Sequence, residues 1–203
     1  GRGHSAYDVE NASRLIKAEG FTLGHQIMPG LPGDTKEIDL ATIKKSIEMK
    51  PDIARIYPAL VIKDTPMETM YNRGEYEPYS LDMAVEVSRE MLKLYNAAKV
   101  KVIRIGLQPT DTIAEGKDVV AGPLHPAFRE LVEGSLICEN IKEKTNESSD
   151  IIIEINSKDI SKLYCNKKQY FNEFKERHDK DKVSRNDLKS YEGDAFIGIF
   201  GAT

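Results

Sequence analysis

Apolar residues first recur at helical spacing: Val9, Ala12, Leu15 and Ile16 follow Ser5 and Asp8, an arrangement of capping-box type, and Gly20 stops the run. A helix therefore opens the chain. Phe21, Leu23, His25 and Ile27 then alternate with Thr22, Gly24 and Gln26, the period of a strand, which ends at Met28-Pro29. Gly30 to Thr35 is dense in turn formers and reads as a loop. Asp34 with Glu37 caps a second helix, with Ile38, Ile43 and Ile47 on its apolar face and an end near Lys50-Pro51. Ile53 to Tyr57 is a short β-branched strand; after Pro58 the apolar tract Ala59 to Ile62 leads into a long polar connection from Lys63-Asp64-Thr65. Ser80 caps a third helix with Ala84, Val85, Ser88, Met91, Leu92 and Tyr95 inside, and Val100 to Ile105 is a third strand closed by Gly106.

Helices and strands that alternate over short connections imply a mainly parallel sheet covered by helices, because parallel neighbours need a crossover between them. In such sheets functional groups gather where strands end. The pattern changes after Thr112. Gly122-Pro123-Leu124-His125-Pro126 introduces a helix through about Cys138, and Glu139 to Asp150 is a polar stretch expected to be a surface loop. Ile151 to Ile155 reads as a strand, Lys168 to Arg177 as a charged helix around Tyr170, Phe171 and Phe174, and Ala195 to Phe200 as a closing strand. Residues 1–115 thus form an α/β part, and 116–203 a small α+β extension.

Composition narrows this picture only modestly. The 203 residues are 40% hydrophobic and 31% charged, as in an ordinary globular protein, and 33 acids against 29 bases give a net charge of −4. That balance argues against a chain built mainly as a polyphosphate-binding surface. No apolar run approaches the ~18 residues of a membrane span, and the start resembles no signal peptide, so a cytoplasmic protein is expected. Cys138 and Cys165 stand far apart in no metal-binding spacing, and no metal site is expected. Lys167, Lys168, Lys175, Arg177 and Lys180 are interleaved with Glu173, Glu176, Asp179 and Asp181, the pattern of a solvated helix face.

The segment Gly24 to Thr35 is the most informative chemically. Gly30 and Gly33 permit close backbone approach and Pro32 stiffens the turn, but the Gly-Lys-Ser/Thr of a phosphate-binding loop is absent. The residues alone favour a plain strand-to-helix turn. At the strand ends, Gln26, Arg55, Tyr57, Lys63, Arg104 and Gln108 are candidates for ligand handling; ion pairing, core packing or simple solvation would explain them equally well. His25 reads as a packed strand residue, and His125 as part of a turn.

Gly24 to Thr35 resembles the fifth-strand motif of radical S-adenosylmethionine enzymes, in the Gly-Leu-Pro-Gly-Asp form found in methylthiotransferases and in the catalytic subunit of Elongator. Asp34 stands where many relatives carry Glu, and the loop is one residue longer than the shortest form. Arg2 to Ser5, Tyr57 to Lys63, Arg104 to Gln108 and Gly122 to Pro126 resemble the same lineage in the same order. No segment resembles an acetyltransferase, which points to the shorter bacterial relatives.

The resemblance implies the C-terminal part of a partial TIM-type (βα) barrel. In that family, S-adenosylmethionine lies at the strand ends, and a CxxxCxxC motif holds a 4Fe-4S cluster that cleaves it to a radical. It further implies that Gln26, Met28, Gly30, Leu31, Pro32, Tyr57 and Leu60 face the cofactor, and that Arg55, Lys63, Arg104 and Gln108 face the substrate, with a tRNA uridine as the leading candidate. CxxxCxxC does not occur in this sequence, so the expectation is a piece of the parent enzyme that retains no cluster and exposes a strand edge able to self-associate. The alternative is a non-catalytic α/β module that contacts RNA or protein.

Overall fold

A computed structural model describes residues 3–108, 110–111, 113–114, 116–144, 151–155, 160–165, 169–172 and 197–201. They fall in two compact units, Gly1–Arg129 and Glu130–Thr203.

In the first unit, helix α1 (Ala6–Ala18) starts at N-cap Ser5, whose hydroxyl accepts from the Asp8 N–H while the Asp8 carboxylate accepts from the Ser5 N–H. This is the expected capping box. The burial of α1 departs from its periodicity: Val9, Leu15 and Ile16 are exposed, and Ser13 is the buried residue. Strand β1 (Gly24–Ile27) is shorter than the alternation suggested, since Phe21 lies in solvent. Helix α2 (Lys36–Glu48) is capped by Thr35, whose hydroxyl accepts from the Ile38 N–H; the Asp34 carboxylate instead accepts from the Leu31 N–H within the preceding turn. Strand β2 (Ile53–Ile56) follows, and then β3 (Val61–Ile62).

The polar connection after β3 is not a plain loop. It holds helix α3 (Pro66–Asn72), capped by Thr65 with Pro66 in the first turn. Thr65-Pro66-Met67-Glu68 carried that signal, since proline is favoured at the first helical position and an acid three residues after the cap completes the turn. Helix α4 (Leu81–Ala97) begins at Ser80 and buries the Ala84, Val85, Ser88, Met91, Leu92 and Tyr95 face that the periodicity marked. Strand β4 (Lys101–Ile105) ends at Gly106, and β5 (Val119–Ala121) runs antiparallel to β3.

Strands β1, β2 and β4 form a parallel three-stranded sheet in that order, so the architecture is α/β with a parallel sheet; the antiparallel β3–β5 ribbon stands apart from it. Side chains on a parallel sheet share a face with their register partners. Ala54 pairs with His25 and Val102, and Ile56 with Ile27 and Ile105; Ala54, Val102, Ile56 and Ile105 are buried. Helices α2 and α4 pack together and are joined by the Lys36–Glu86 ion pair. A polar chain crosses the covered layer. His25 Nε2 meets Ser13 Oγ of α1 at 3.0 Å, its Nδ1 meets Ser46 Oγ of α2 at 2.7 Å, and Ser46 Oγ meets the Tyr95 hydroxyl of α4 at 2.8 Å. His25 is therefore a packed residue with both ring nitrogens partnered, and burial lowers its pKa, which favours the neutral ring.

Helix α5 (Phe128–Lys144) continues past Cys138, so the first residues of the expected 139–150 loop are helical. From Glu130 the chain belongs to the second unit. There, strands β6 (Ile151–Ile155) and β7 (Ile197–Gly201) pair antiparallel, and α6 (Ile160–Leu163) lies between them in sequence. Ile137, Cys138, Ile141, Leu163 and Phe171 form the core of this unit. Of the helix expected over 168–177, residues 169–172 are helical; Phe174 and the basic residues around it lie outside the described residues.

Candidate functional site

The carboxyl ends of β1, β2 and β4 lie side by side, because the parallel ladder continues past the strands. Tyr57 N–H donates to Ile27 O at 2.9 Å, Ala59 N–H to Pro29 O at 2.9 Å and Gly106 N–H to Ile56 O at 2.8 Å. The loop after β1 is built at this end. Asp34 N–H donates to Leu31 O at 2.9 Å with Gly33 at a φ of 88°, the left-handed position that a Pro-Gly turn of type II requires.

Gly30 is held from below. Its N–H donates to Asp39 Oδ2 at 3.2 Å, and its carbonyl accepts from the Tyr76 hydroxyl at 2.6 Å. The Tyr79 hydroxyl donates to the same Asp39 oxygen at 2.9 Å, and the Tyr79 ring leaves no room for a side chain at position 30. Asp39, Tyr76 and Tyr79 drew no attention in the sequence. One signal was available for Asp39: it lies one turn before Ile43 on the inward row of α2, where an acid needs a buried partner. The tyrosines sit in the polar connection, and no local pattern ties them to a loop more than forty residues earlier in the chain.

Burial raises the Asp39 carboxyl to about 6, against the opposing effect of the Tyr79 and Gly30 hydrogen bonds and with a further push from Asp34. The folded state therefore holds the Asp39 proton between about pH 4 and pH 6, where the unfolded chain has released it. Stability contributed by this group falls as pH rises through that window, by on the order of 2 kcal/mol. Asp39→Asn keeps an acceptor for both donors and cannot ionise. The expected result is that the difference in urea-unfolding free energy, native minus variant, declines from pH 4 to pH 6 and is level above it. An equal slope in both proteins would show that Asp39 is not the group responsible.

The residues expected to handle ligands are distributed as follows. Gln26, Arg55 and Arg104 form one cross-strand row on the sheet face opposite His25 and Ala54, and all three are exposed. Met28, Gly30, Leu31 and Pro32 lie in the loop after β1, with Gly30 buried and the Leu31 side chain outward. The ring of Tyr57 is buried, and its hydroxyl has no hydrogen-bond partner among the described residues yet is not among the buried orphaned atoms, so it reaches solvent. Leu60 is buried and lies against Gly122 at the ribbon. Lys63 follows β3 with its N–H on Asp118 O, outside the three-stranded sheet, and exposed Gln108 follows β4.

Two sets of donors decide what this chain can hold. The strand-end loops present apolar surface at Leu31 and Pro32 and a hydroxyl at Tyr57, which suit an adenosyl group. The sequence contains two cysteines, so the thiolate set of a three-cysteine iron–sulfur site is not supplied by these residues. Among the described residues no group of three metal-ligating side chains converges.

Comparison with known proteins defines the class. A family model described as the radical SAM C-terminal domain matches residues 51–137, which run from β2 through β5 into α5. The tRNA uridine(34) acetyltransferase of Methanocaldococcus jannaschii is 40% identical over 89 residues, covering 42% of this chain and 16% of that protein. Human Elongator complex protein 3 is 32% identical over 96 residues, 46% of this chain and 18% of that protein. The solved structure of the archaeal Methanocaldococcus infernus Elp3 with an N-terminal deletion superposes with a TM-score of 0.58 at 31% identity, over 71% of this chain and 32% of that one. Residues 51–137 thus match a radical SAM C-terminal domain, and the chain is similar to Elongator-like members of the radical S-adenosylmethionine superfamily. It spans about a sixth of the length of these curated relatives. They are archaeal and eukaryotic and lend no support to the expected bacterial affiliation.

Proposed function

We propose that this chain is the cofactor-facing and substrate-facing C-terminal part of a tRNA-modifying radical S-adenosylmethionine enzyme, with its strands forming the last βα units of a partial barrel. The observation that carries the reading is the alignment of the β1, β2 and β4 ends beside a rigid loop of the lineage's Gly-Leu-Pro-Gly-Asp type, within a chain similar to proteins named for tRNA uridine(34). S-adenosylmethionine bound with a 4Fe-4S cluster supplies radical chemistry in such enzymes, and the cluster belongs to cysteines this chain does not carry.

The residues here bind and orient. Because the Gly30 and Leu31 N–H groups are already spent on Asp39 and Asp34, the loop offers a ligand its apolar surface and not these two donors. Tyr57 offers its hydroxyl, and Gln26 an amide one row below the strand ends. Met28 and Leu60 complete the apolar surround in this proposal, and Lys63 and Gln108 are assigned to the substrate. A cytoplasmic setting belongs to the same reading, which accords with the lack of any helix long and apolar enough to cross a membrane among the described residues. Self-association would use the unpaired edge of β1, beside a cavity of about 620 Å³ lined by Val9, Ile38, Ala41 and Met49.

Titration of the isotope-labelled chain with S-adenosylmethionine tests the proposal. The amide signals of Met28, Gly30, Leu31 and Tyr57 should shift, and anaerobic iron and sulfide should yield no 4Fe-4S absorbance. A cluster that cleaves S-adenosylmethionine on this chain alone would overturn the division of labour. Tight tRNA binding lost on removal of residues 151–203, with no response to S-adenosylmethionine, would favour a non-catalytic binding module.

A further inference from the structure

The exposed face of the sheet carries an unusual pairing. Arg55 of β2 and Arg104 of β4 are register partners, and Gln26 of β1 extends their row. Strands in register stand about 5 Å apart, and like charges placed directly opposite one another repel. The pairing is also not what an undisturbed ladder would give. Ile53 pairs with Lys101 and Ala54 with Val102, so Ile103 would stand opposite Arg55; a register shift between Ala54 and Arg55 substitutes Arg104. The bulge turns both Ile103 and Arg104 outward, and the Ile103 carbonyl accepts from Arg129 Nη1 at 3.2 Å, which anchors the irregularity.

Among the described residues no acid pairs with these charges. Gly24, Gln26, Ile53, Arg55, Lys101, Ile103 and Arg104 share the face, and neither arginine makes a hydrogen bond or ion pair among the described residues. Several cations elsewhere are paired: Lys17 with Asp52, Lys36 with Glu86, Lys45 with Glu48 and Arg89 with Glu90. A bulge that brings two arginines together, on a face free of carboxylates in a chain of net charge −4, calls for an external anion.

We propose that Arg55 and Arg104 form a two-armed clamp for a phosphate group of a nucleotide ligand, with Gln26 as the neighbouring neutral contact. A guanidinium presents two parallel donors, and two of them together need more acceptors than the two oxygens of a carboxylate provide comfortably. A phosphate has the oxygens to receive both forks. The clamp rests on the proposed tRNA-modifying reading and deepens it by naming the part of the nucleic acid this face takes, and the phosphate can come from a free nucleotide or from an RNA strand.

The test follows the arginine Nε–H signals of the full chain during titration with uridine 5′-monophosphate, uridine, S-adenosylmethionine and a single-stranded uridine hexamer, together with tRNA binding by fluorescence anisotropy at several salt concentrations. The monophosphate should shift the Arg55 and Arg104 signals where uridine does not. A hexamer that shifts them at lower concentration than the monophosphate assigns the site to an RNA strand; the reverse assigns it to a free nucleotide.

Arg55→Gln/Arg104→Gln should weaken RNA binding at least about tenfold and reduce the slope of log affinity against log salt by about 0.7, the contribution of the one single-strand phosphate the clamp holds. Arg55→Lys should keep the slope and lose part of the affinity, because the charge remains and the fork does not. Equal responses to monophosphate and uridine, or a response to S-adenosylmethionine alone, would overturn the phosphate assignment. Unchanged affinity for both the monophosphate and tRNA in the double variant would sink the clamp and leave the tRNA reading standing. Arginine shifts with monophosphate but no tRNA binding would keep the clamp and sink that reading.

Discussion

Gly30→Ala is expected to lower the unfolding free energy by roughly 2–4 kcal/mol. Two costs combine. Gly30 sits at a φ of 82°, where an L side chain costs about 1–2 kcal/mol. The added Cβ would also lie 2.8 Å from Tyr79 Cδ2 and 3.1 Å from its Cε2, so the ring must move. That ring cannot move freely, because its hydroxyl is bonded to Asp39, which in turn receives the Gly30 N–H. Displacement therefore releases a buried carboxylate from its donors, the kind of loss that dominates large mutational effects. Gly33→Ala provides the comparison. Gly33 has a φ of 88° but open space around its missing Cβ, so it should show the backbone cost alone, about 1–2 kcal/mol. Urea titration of both variants decides the matter, and equal losses would mean that the Tyr79 contact contributes nothing.

Gly134→Ala is expected to destabilise the second unit by on the order of 3 kcal/mol or more, although helix propensity alone predicts a gain of about 1 kcal/mol for replacing a mid-helix glycine. The two predictions differ in sign. A Cβ at position 134 would run into Lys162 O and Cys165 Sγ, so α6 would have to withdraw from α5. Withdrawal exposes Leu163, which packs with Ile137, Ile141 and Phe171, and separates Lys162 from Glu133, now 2.9 Å apart. Cys165 reports the change directly. Burial raises its thiol to about 11, so it reacts slowly with thiol reagents at neutral pH in the native chain. The variant should react several-fold faster and lose amide protection over residues 160–165. A more stable variant with unchanged Cys165 reactivity would show that the close approach of the two helices is not maintained.

The residues that make up the clamp illustrate the division between what pattern and packing supply. Arg55 and Arg104 were each visible as charged positions on short apolar strands, and each was open to an ion-pair explanation. Their adjacency depends on the order of β1, β2 and β4 and on a one-residue shift within β4, which no local pattern encodes. Lys63 looked equivalent in the sequence, yet it follows β3 at the end of the antiparallel ribbon.

By itself, the sequence determined the alternation of helices and strands in the first hundred residues, the caps at Ser5 and Ser80, the buried face of α4 and the turn at Gly30 to Asp34. These are set by interactions within a few residues: the period of apolar positions, a hydroxyl that reaches a free N–H, and a glycine that tolerates positive φ. It also carried the resemblance to the radical S-adenosylmethionine lineage. Only the tertiary structure decided that α1 buries Ser13 and not Leu15, because His25 on a strand twelve residues later offers it a hydrogen bond. Only the tertiary structure placed Asp39, Tyr76 and Tyr79 beneath Gly30, and two arginines on one row. Such contacts join segments far apart in the chain, where burial and charge act between neighbours in space.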